Sequence, residues 1–308
     1  MASAERAAAR VLVTGGTGFI GSVLVPRLVS AGYAPRLVVR RAPPRPPDPG
    51  VDVVVADVSD PAAVTAAATG AAAIVHLAAA TSSGRLHPAV AYRVNVGGAS
   101  ALVEASRRTG AHLIVVSTQH VYLPAPGLYG RTKRMADAIF TAAGVPVTIL
   151  RPSLVYGPGT RGVFVRLATL VARLPVIPVI GAGAWRMRPL FLDDLVDVVL
   201  AILARPELAG RTYDVGGPDL VTYDEFLAAI CGATGRPCRT LHLPLALSHA
   251  LAWTLERLLP SPPLTTDNVR GAQRDARCDT RALERDLRPR LTPLAEGLRR
   301  TLSAASHG

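Results

Sequence analysis

Two groups of residues in this 308-residue chain have the types and spacing to do chemistry. The first is Tyr129-Gly130-Arg131-Thr132-Lys133, which sets a phenol and an ammonium four residues apart, on one face of a helix. A phenol with a pKa of about 10 is a poor base at neutral pH. A nearby cation favours the phenolate, so the pair suits proton transfer to or from a substrate oxygen. The plain alternative is a chance pair on a solvated helix. Composition argues against it, because Lys133 is the only lysine among 34 Lys+Arg residues. A chain that otherwise writes arginine keeps the compact ammonium at this one place.

The second group is Thr14-Gly15-Gly16-Thr17-Gly18-Phe19-Ile20-Gly21. It follows a β-branched run, Val11–Val13, and precedes Phe19–Ala31, which reads as a helix. Glycine lets the backbone turn tightly and approach a pyrophosphate, and the helix start offers unpaired N–H groups to the anion. A glycine motif alone is weak; the strand-before, helix-after setting is what makes it a dinucleotide signal.

The elements that must position these groups alternate. Strands are expected at Arg36–Arg40, Val51–Ala56, Ala72–His76, His112–Ser117 and Pro146–Leu150. Helices are expected at Asp60–Thr69 (with Pro61 in its first turn), in a long segment running through Asn95 to Arg108, and at Tyr129–Ala143. The proline-rich stretch Ala42–Gly50 reads as a loop. Such alternation implies right-handed βαβ units: an α/β, doubly wound parallel sheet of Rossmann type. Past Arg151 the rhythm breaks. Helices are expected at Val163–Arg173, Asp193–Ala204, Tyr223–Ala233, Leu245–Leu258 and Leu291–Leu302, with a strand at Thr212–Val215. The expected division is a dinucleotide-binding domain over 10–151, with 190–217 returning to it, and a smaller, mainly helical substrate lobe from 152–189 and 218–308.

The octet TGGTGFIG together with the YxxxK at Tyr129 resembles the extended and atypical branches of the short-chain dehydrogenase/reductase superfamily, the NAD-dependent epimerase/dehydratase group. Supporting segments are Ala56-Asp57, His76-Leu77-Ala78-Ala79, Asn95-Val96-Gly97, Ser117-Thr118 and Arg151-Pro152-Ser153-Leu154-Val155-Tyr156-Gly157. The resemblance implies a catalytic set of Thr118, Tyr129 and Lys133, with Thr118 bonding the substrate oxygen and Lys133 also holding the nicotinamide ribose. It implies cofactor contacts at Gly15, Thr17, Gly18, Phe19, Ile20 and Gly21, and at Asp57 and Val58 beside the adenine. Ala78 and Ala79 would line the phosphates and ribose, and Ser117, Pro152, Ser153 and Leu154 would complete the contacts; Asn95 would be architectural. Taken singly, Asp57 could be a solvated strand-end carboxylate and Thr118 a turn cap. The second strand ends Leu37-Val38-Val39-Arg40-Arg41 with no carboxylate until Asp48, which favours NADP over NAD. The alternative there is that Arg40 and Arg41 merely open a basic loop.

The net charge of +12 raises nucleic-acid binding, but the basic residues are scattered and aromatics are only 5%. No apolar run is long enough to span a bilayer, and Met1–Arg10 lacks the apolar core of a signal peptide. Cys231, Cys238 and Cys278 match neither a disulfide framework nor a zinc spacing, so three free thiols and no metal are expected. The expected setting is cytoplasmic, with a small-molecule substrate, neither nucleic acid nor membrane as partner, and a homodimer as an option.

Departures from the family bear on the substrate. Sugar dehydratases of the superfamily carry Asp-Glu where this chain has Gln119-His120, which argues against water elimination. Leu154 and Met187 stand where nucleotide-sugar relatives present polar groups, with Arg186 and Arg188 on either side of Met187. Leu245, Leu247, Leu251, Trp253, Leu255 and Leu258 could wall an apolar pocket or simply pack the lobe. Two classes stay open: an oxidoreductase, or an epimerase working by transient oxidation, and a non-catalytic dinucleotide-binding or assembly protein.

Overall fold

The structure, a computed structural model, describes residues 8–43, 48–81, 86–159, 163–235, 238–259, 262, 264–271, 275 and 277–305. Residues 44–47 of the proline-rich stretch and 1–7 of the N-terminal segment lie outside them. Seven strands form one sheet: β1 (Arg10–Thr14), β2 (Ala34–Val39), β3 (Asp52–Val55), β4 (Ala73–His76), β5 (His112–Val116), β6 (Val147–Pro152) and β7 (Thr212–Val215). Their order is β7-β6-β5-β4-β1-β2-β3 and every pairing is parallel. The order reverses between β1 and β4, so their C-terminal ends open the crevice where a doubly wound sheet binds its ligand.

Strand periodicity divides the core. Val11 and Val13 of β1 join a cluster with helices Gly21–Ser30 and Leu192–Leu203, whereas Leu12 joins the opposite cluster with helices Pro61–Ala68, Gly98–Thr109 and Leu128–Thr141. Asp60 caps Pro61–Ala68 by accepting from the N–H groups of Ala62 (3.0 Å) and Ala63 (3.1 Å). A third cluster, with Tyr156, Phe164, Phe191, Phe226 and Leu298, is the core of the C-terminal lobe.

Several local expectations change. The first helix begins at Gly21, not Phe19, because Gly15–Ile20 is spent on the turn. The long helix expected to run through Asn95 to Arg108 is composite: Pro88–Ala91, π-helical turns over Tyr92–Gly97, then Gly98–Thr109. The lobe is less helical than its sequence reads, because Val176–Ile180 pairs in parallel with Arg239–Leu243. That ladder joins distant segments, which local periodicity cannot report. Cys231 and Cys238 are bonded as a disulfide with Cα atoms 6.1 Å apart, which corrects the expectation of three free thiols; Cys278 remains free. The helix Tyr223–Thr234 places Cys231 in the lobe core, with Cys238 packed against it.

Candidate active site

The glycine turn is held by its own backbone. Gly15 has φ +74°, and a Cβ there would lie 2.6 Å from the Ala78 nitrogen, so the turn rests directly on the Leu77–Ala78 segment. A Cβ on Gly21 would lie 2.5 Å from the Gly15 oxygen. Helix Gly21–Ser30 has no side-chain cap and no acidic residue in its first turn, while Thr17 and Gly18 are exposed in front of it. Uncapped, positive and open, this helix start fits the pyrophosphate of a dinucleotide. Ala78 and Ala79 are half-buried beside it. Asn95 fixes the next residue by accepting from Ala80 N (2.8 Å) and donating to Ala80 O (3.1 Å) and Thr132 Oγ1 (2.9 Å), which ties the crevice wall to the Tyr129 helix.

Other expected cofactor residues fall less uniformly. Asp57 spends Oδ1 on the Ser59 N–H (2.9 Å) and hydroxyl (2.7 Å), and Oδ2 faces Arg93 at 3.9 Å. Those Ser59 bonds hold its pKa below the usual carboxylate value, against a small opposing effect of burial. The Val58 side chain is buried in the core, so only its backbone is available. Arg40 and Arg41 are exposed at the end of β2, and Arg40 is close enough to Asp57 to stabilise its charge. Ser153 pairs its N–H with Val215 O (2.8 Å), while Leu154 packs partly into the lobe core. Pro152 ends β6.

Thr118, Tyr129 and Lys133 are brought together where β5 ends against helix Leu128–Thr141. The Thr118 hydroxyl lies close enough to the Tyr129 phenol to favour its ionised form, and Lys133 Nζ donates to Val116 O (3.1 Å). The expected lowering of the tyrosine pKa is absent from the protein by itself. Burial pushes the phenol up to about 12; the Thr118 hydroxyl opposes this and Asp137 adds to it. Burial likewise pulls Lys133 down to about 8, with Asp137 opposing. At neutral pH the site therefore holds a protonated phenol beside a mostly charged ammonium, and a further positive charge would be needed to release the phenolic proton.

Asp137 was missed by the sequence reading. It lies four residues beyond Lys133 and eight beyond Tyr129, hence on the same helix face, and that spacing was the available signal. It is 4% exposed. It accepts from the Ser117 hydroxyl and from Arg151 Nε (2.8 Å). Arg151 donates onward to Tyr122 Oη (2.8 Å), which donates to Asp214 (2.8 Å). Ser117 thus serves a buried polar chain linking β5, the Tyr129 helix, β6 and β7. His76, fully buried and hydrogen-bonded through Nδ1 to Thr14 Oγ1 (2.7 Å), is held neutral by burial, with a pKa of about 3.

Beyond this polar chain lies a cavity of about 680 Å³, lined by Tyr122, Asp214, Cys278 and Asp279 and by Arg188, Arg277 and Arg281, the last paired with Asp279. Met187 is buried in the lobe core, whereas Arg188 turns into the cavity and bonds Pro218 O (3.0 Å). Arg186 is exposed, with its N–H on Asp275 (2.7 Å). The apolar wall expected of the late helix does not form in this cavity. Leu247, Leu251, Trp253 and Leu258 are exposed instead, because Ser248 and Ala252 occupy the inward side of their helix. Among the described residues no cluster of His, Cys, Asp or Glu could hold a metal, and no helix is long and apolar enough to cross a membrane.

Residues 11–216 match the NAD dependent epimerase/dehydratase family. The chain is 34% identical over 239 residues to ceramide reductase of Caulobacter vibrioides (76% of this chain, 73% of that protein). It is 27% identical over 289 residues to 2-alkyl-3-oxoalkanoate reductase of Stenotrophomonas maltophilia (83% and 87%). In fold it is similar to dTDP-glucose 4,6-dehydratase of Bacillus anthracis in complex with NAD, with a TM-score of 0.76, 20% identity and coverage of 98% and 97%. The match over most of the chain and the reductase at 34% identity agree with the glycine turn and parallel sheet: this protein belongs to the NAD dependent epimerase/dehydratase family of enzymes.

Proposed function

We propose that this protein is an NADP(H)-linked oxidoreductase that interconverts a carbonyl and a secondary alcohol on a lipophilic small molecule in the cytoplasm, with Tyr129 as the acid/base. The observation that carries this reading is the Thr118–Tyr129–Lys133 group, half-buried at the threonine and tyrosine and buried at the lysine, with its phenol protonated, in a protein whose uncapped helix start fits a pyrophosphate. The dinucleotide, when bound, supplies the two-electron exchange at its nicotinamide. In the reducing direction Tyr129 Oη gives its proton to the carbonyl oxygen as negative charge builds there, and the Thr118 hydroxyl donates a hydrogen bond to the same oxygen. The Lys133 ammonium then stabilises the phenolate until solvent returns the proton. Oxidation runs the same steps backwards. The two relatives are named as reductases, of a ceramide and of an alkyl-substituted 3-oxo acid, which supports a lipophilic carbonyl.

Tyr129→Phe keeps the ring and removes the proton. Turnover should fall by a factor on the order of a hundred or more, with cofactor binding intact. Near-normal rates on a verified substrate would refute the role. The preference for NADP rests on Arg40 and Arg41 at the end of β2. Calorimetric titration should show roughly ten- to hundredfold tighter binding of NADP than of NAD, and Arg40→Ala should erase much of the difference. Tighter binding of NAD would overturn it.

One observation favours a second reading. Arg188, Arg277 and Arg281 around one cavity could hold a diphosphate, as an epimerase acting on nucleotide sugars by transient oxidation would need. Screening UDP-, GDP- and dTDP-sugars against ketones and secondary alcohols, by thermal shift and cofactor absorbance, separates the two. Micromolar binding of a nucleotide sugar with epimerisation would select the second.

A further inference from the structure

The helix Leu245–Leu258 is packed the wrong way round for a soluble lobe. Its inward positions are small, Ser248 and Ala252, both at 0% exposure. Leu247, Leu251 and Leu258 fall at i, i+4 and i+11 and form one outward stripe, 54%, 42% and 72% exposed. Trp253, 55% exposed, stands on the neighbouring outward face with the Arg257 guanidinium stacked 3.3 Å from its ring centroid. Leu245 at the start of the helix and Leu241 on the strand Arg239–Leu243 are also exposed, 40% and 54%. Scattered exposed leucines need no explanation, but three on one stripe of a helix, with an exposed tryptophan on the other edge of the same outward side, do.

Charge indicates what covers it. The sequence holds no carboxylate between Glu225 and Glu256, and none between Asp137 and Asp193, the stretch that supplies the paired strand Val176–Ile180. Arg239 and Arg257 are exposed beside the leucines. Glu256, the one acid of the helix, is turned away to accept from the Thr266 N–H (3.0 Å) and hydroxyl (3.2 Å) of the next helix. Leucines with an aromatic and guanidiniums near them, on a helix whose one acid is turned away, match the headgroup layer of an anionic bilayer: apolar chains below, phosphates at the arginines. A second copy of the same positive face would meet it with like charge.

We propose that this face docks the protein on anionic membrane surfaces, with the helix lying in the interface and nothing spanning it. The inference stands apart from the proposed reaction, since vesicle binding is measured without turnover.

The test is sedimentation of the full chain with vesicles of phosphatidylcholine alone, and of equal parts phosphatidylcholine and phosphatidylglycerol, at low and high salt. A Trp185→Phe background leaves Trp253 as the single tryptophan, because the chain has only two. Binding to the anionic vesicles, weakened by salt and accompanied by a blue shift of Trp253 emission, is the expected result. Leu247→Ser with Leu251→Ser should lower the partition coefficient about tenfold or more. Circular dichroism and the unfolding midpoint should be unchanged, since neither side chain is in the core. Arg239→Gln with Arg257→Gln should reduce the preference for the anionic vesicles while keeping the fold. Three results would overturn the proposal. These are no binding to the anionic vesicles, binding untouched by the leucine substitutions, or a concentration-dependent dimer that those substitutions dissolve while vesicles are ignored.

Discussion

The Tyr129 helix and the Leu245–Leu258 helix are both 14 residues long and invert each other's rule. The first buries charge: Lys133 and Asp137 are 3% and 4% exposed, and each is bonded to a neighbour across the sheet. The second exposes leucine and tryptophan while burying serine and alanine. Both arrangements cost folding free energy if nothing compensates. In the first the compensation is internal, because every buried charge meets a partner of fixed geometry. In the second none is found among the described residues, and the proposed membrane surface would supply it. Broken local rules mark function in both places, but only the first is functional within the protein itself.

The comparison breaks most readily at Asp137. Asp137→Ala leaves Arg151 half-buried without its carboxylate, and denaturant unfolding should show a loss of about 3–5 kcal/mol. A loss under about 1 kcal/mol, the value of a surface pair, would mean that the polar chain does not organise this region.

Leu195, fully buried under the sheet, gives the apolar counterpart. Leu195→Ala should cost about 2–5 kcal/mol, through lost transfer and the cavity left behind.

His76 sharpens the contrast through pH. Its folded pKa of about 3 lies below the ordinary histidine value of 6.5, so on acidification the unfolded chain takes up the proton first. Stability should be unaffected by this group above pH about 6.5 and should fall as pH drops from there toward about 3, by an amount on the order of a few kcal/mol. His76→Gln, which can keep the bond to Thr14, should flatten that part of the curve. Parallel curves for the two proteins would remove His76 from the acid sensitivity.

The smallest effect belongs to the other helix. Leu251→Ala should change stability by no more than about 0.5 kcal/mol in the absence of lipid. A loss of the Leu195 size would show that the helix is packed in solution after all.

Much of the sheet domain was legible from residues alone. Val11–Val13 reads as a strand and Pro61 as part of a helix's first turn, because both depend on neighbours in sequence. Tyr129 and Lys133 were legible for the same reason. Asp137 carries the same four-residue spacing, but its partners Ser117 and Arg151 come from β5 and β6 and are visible only once those strands are parallel neighbours. In the lobe, Leu245–Leu258 was legible as a helix but not as an exposed one. A helical pattern states which residues share a face and says nothing of what lies opposite.

The alternation of strands and helices, the glycine turn and the four-residue pairing of phenol with ammonium were set by the sequence itself. Each follows from local conformational preference and a fixed period. Four features were left to the tertiary structure: the phenol's rise to about 12, the Asp137–Arg151 connection, the Cys231–Cys238 bond, and the turning of Arg188 into the cavity with Met187 in the core. These depend on burial and on contacts between distant segments, and both come into being only when the chain has closed on itself.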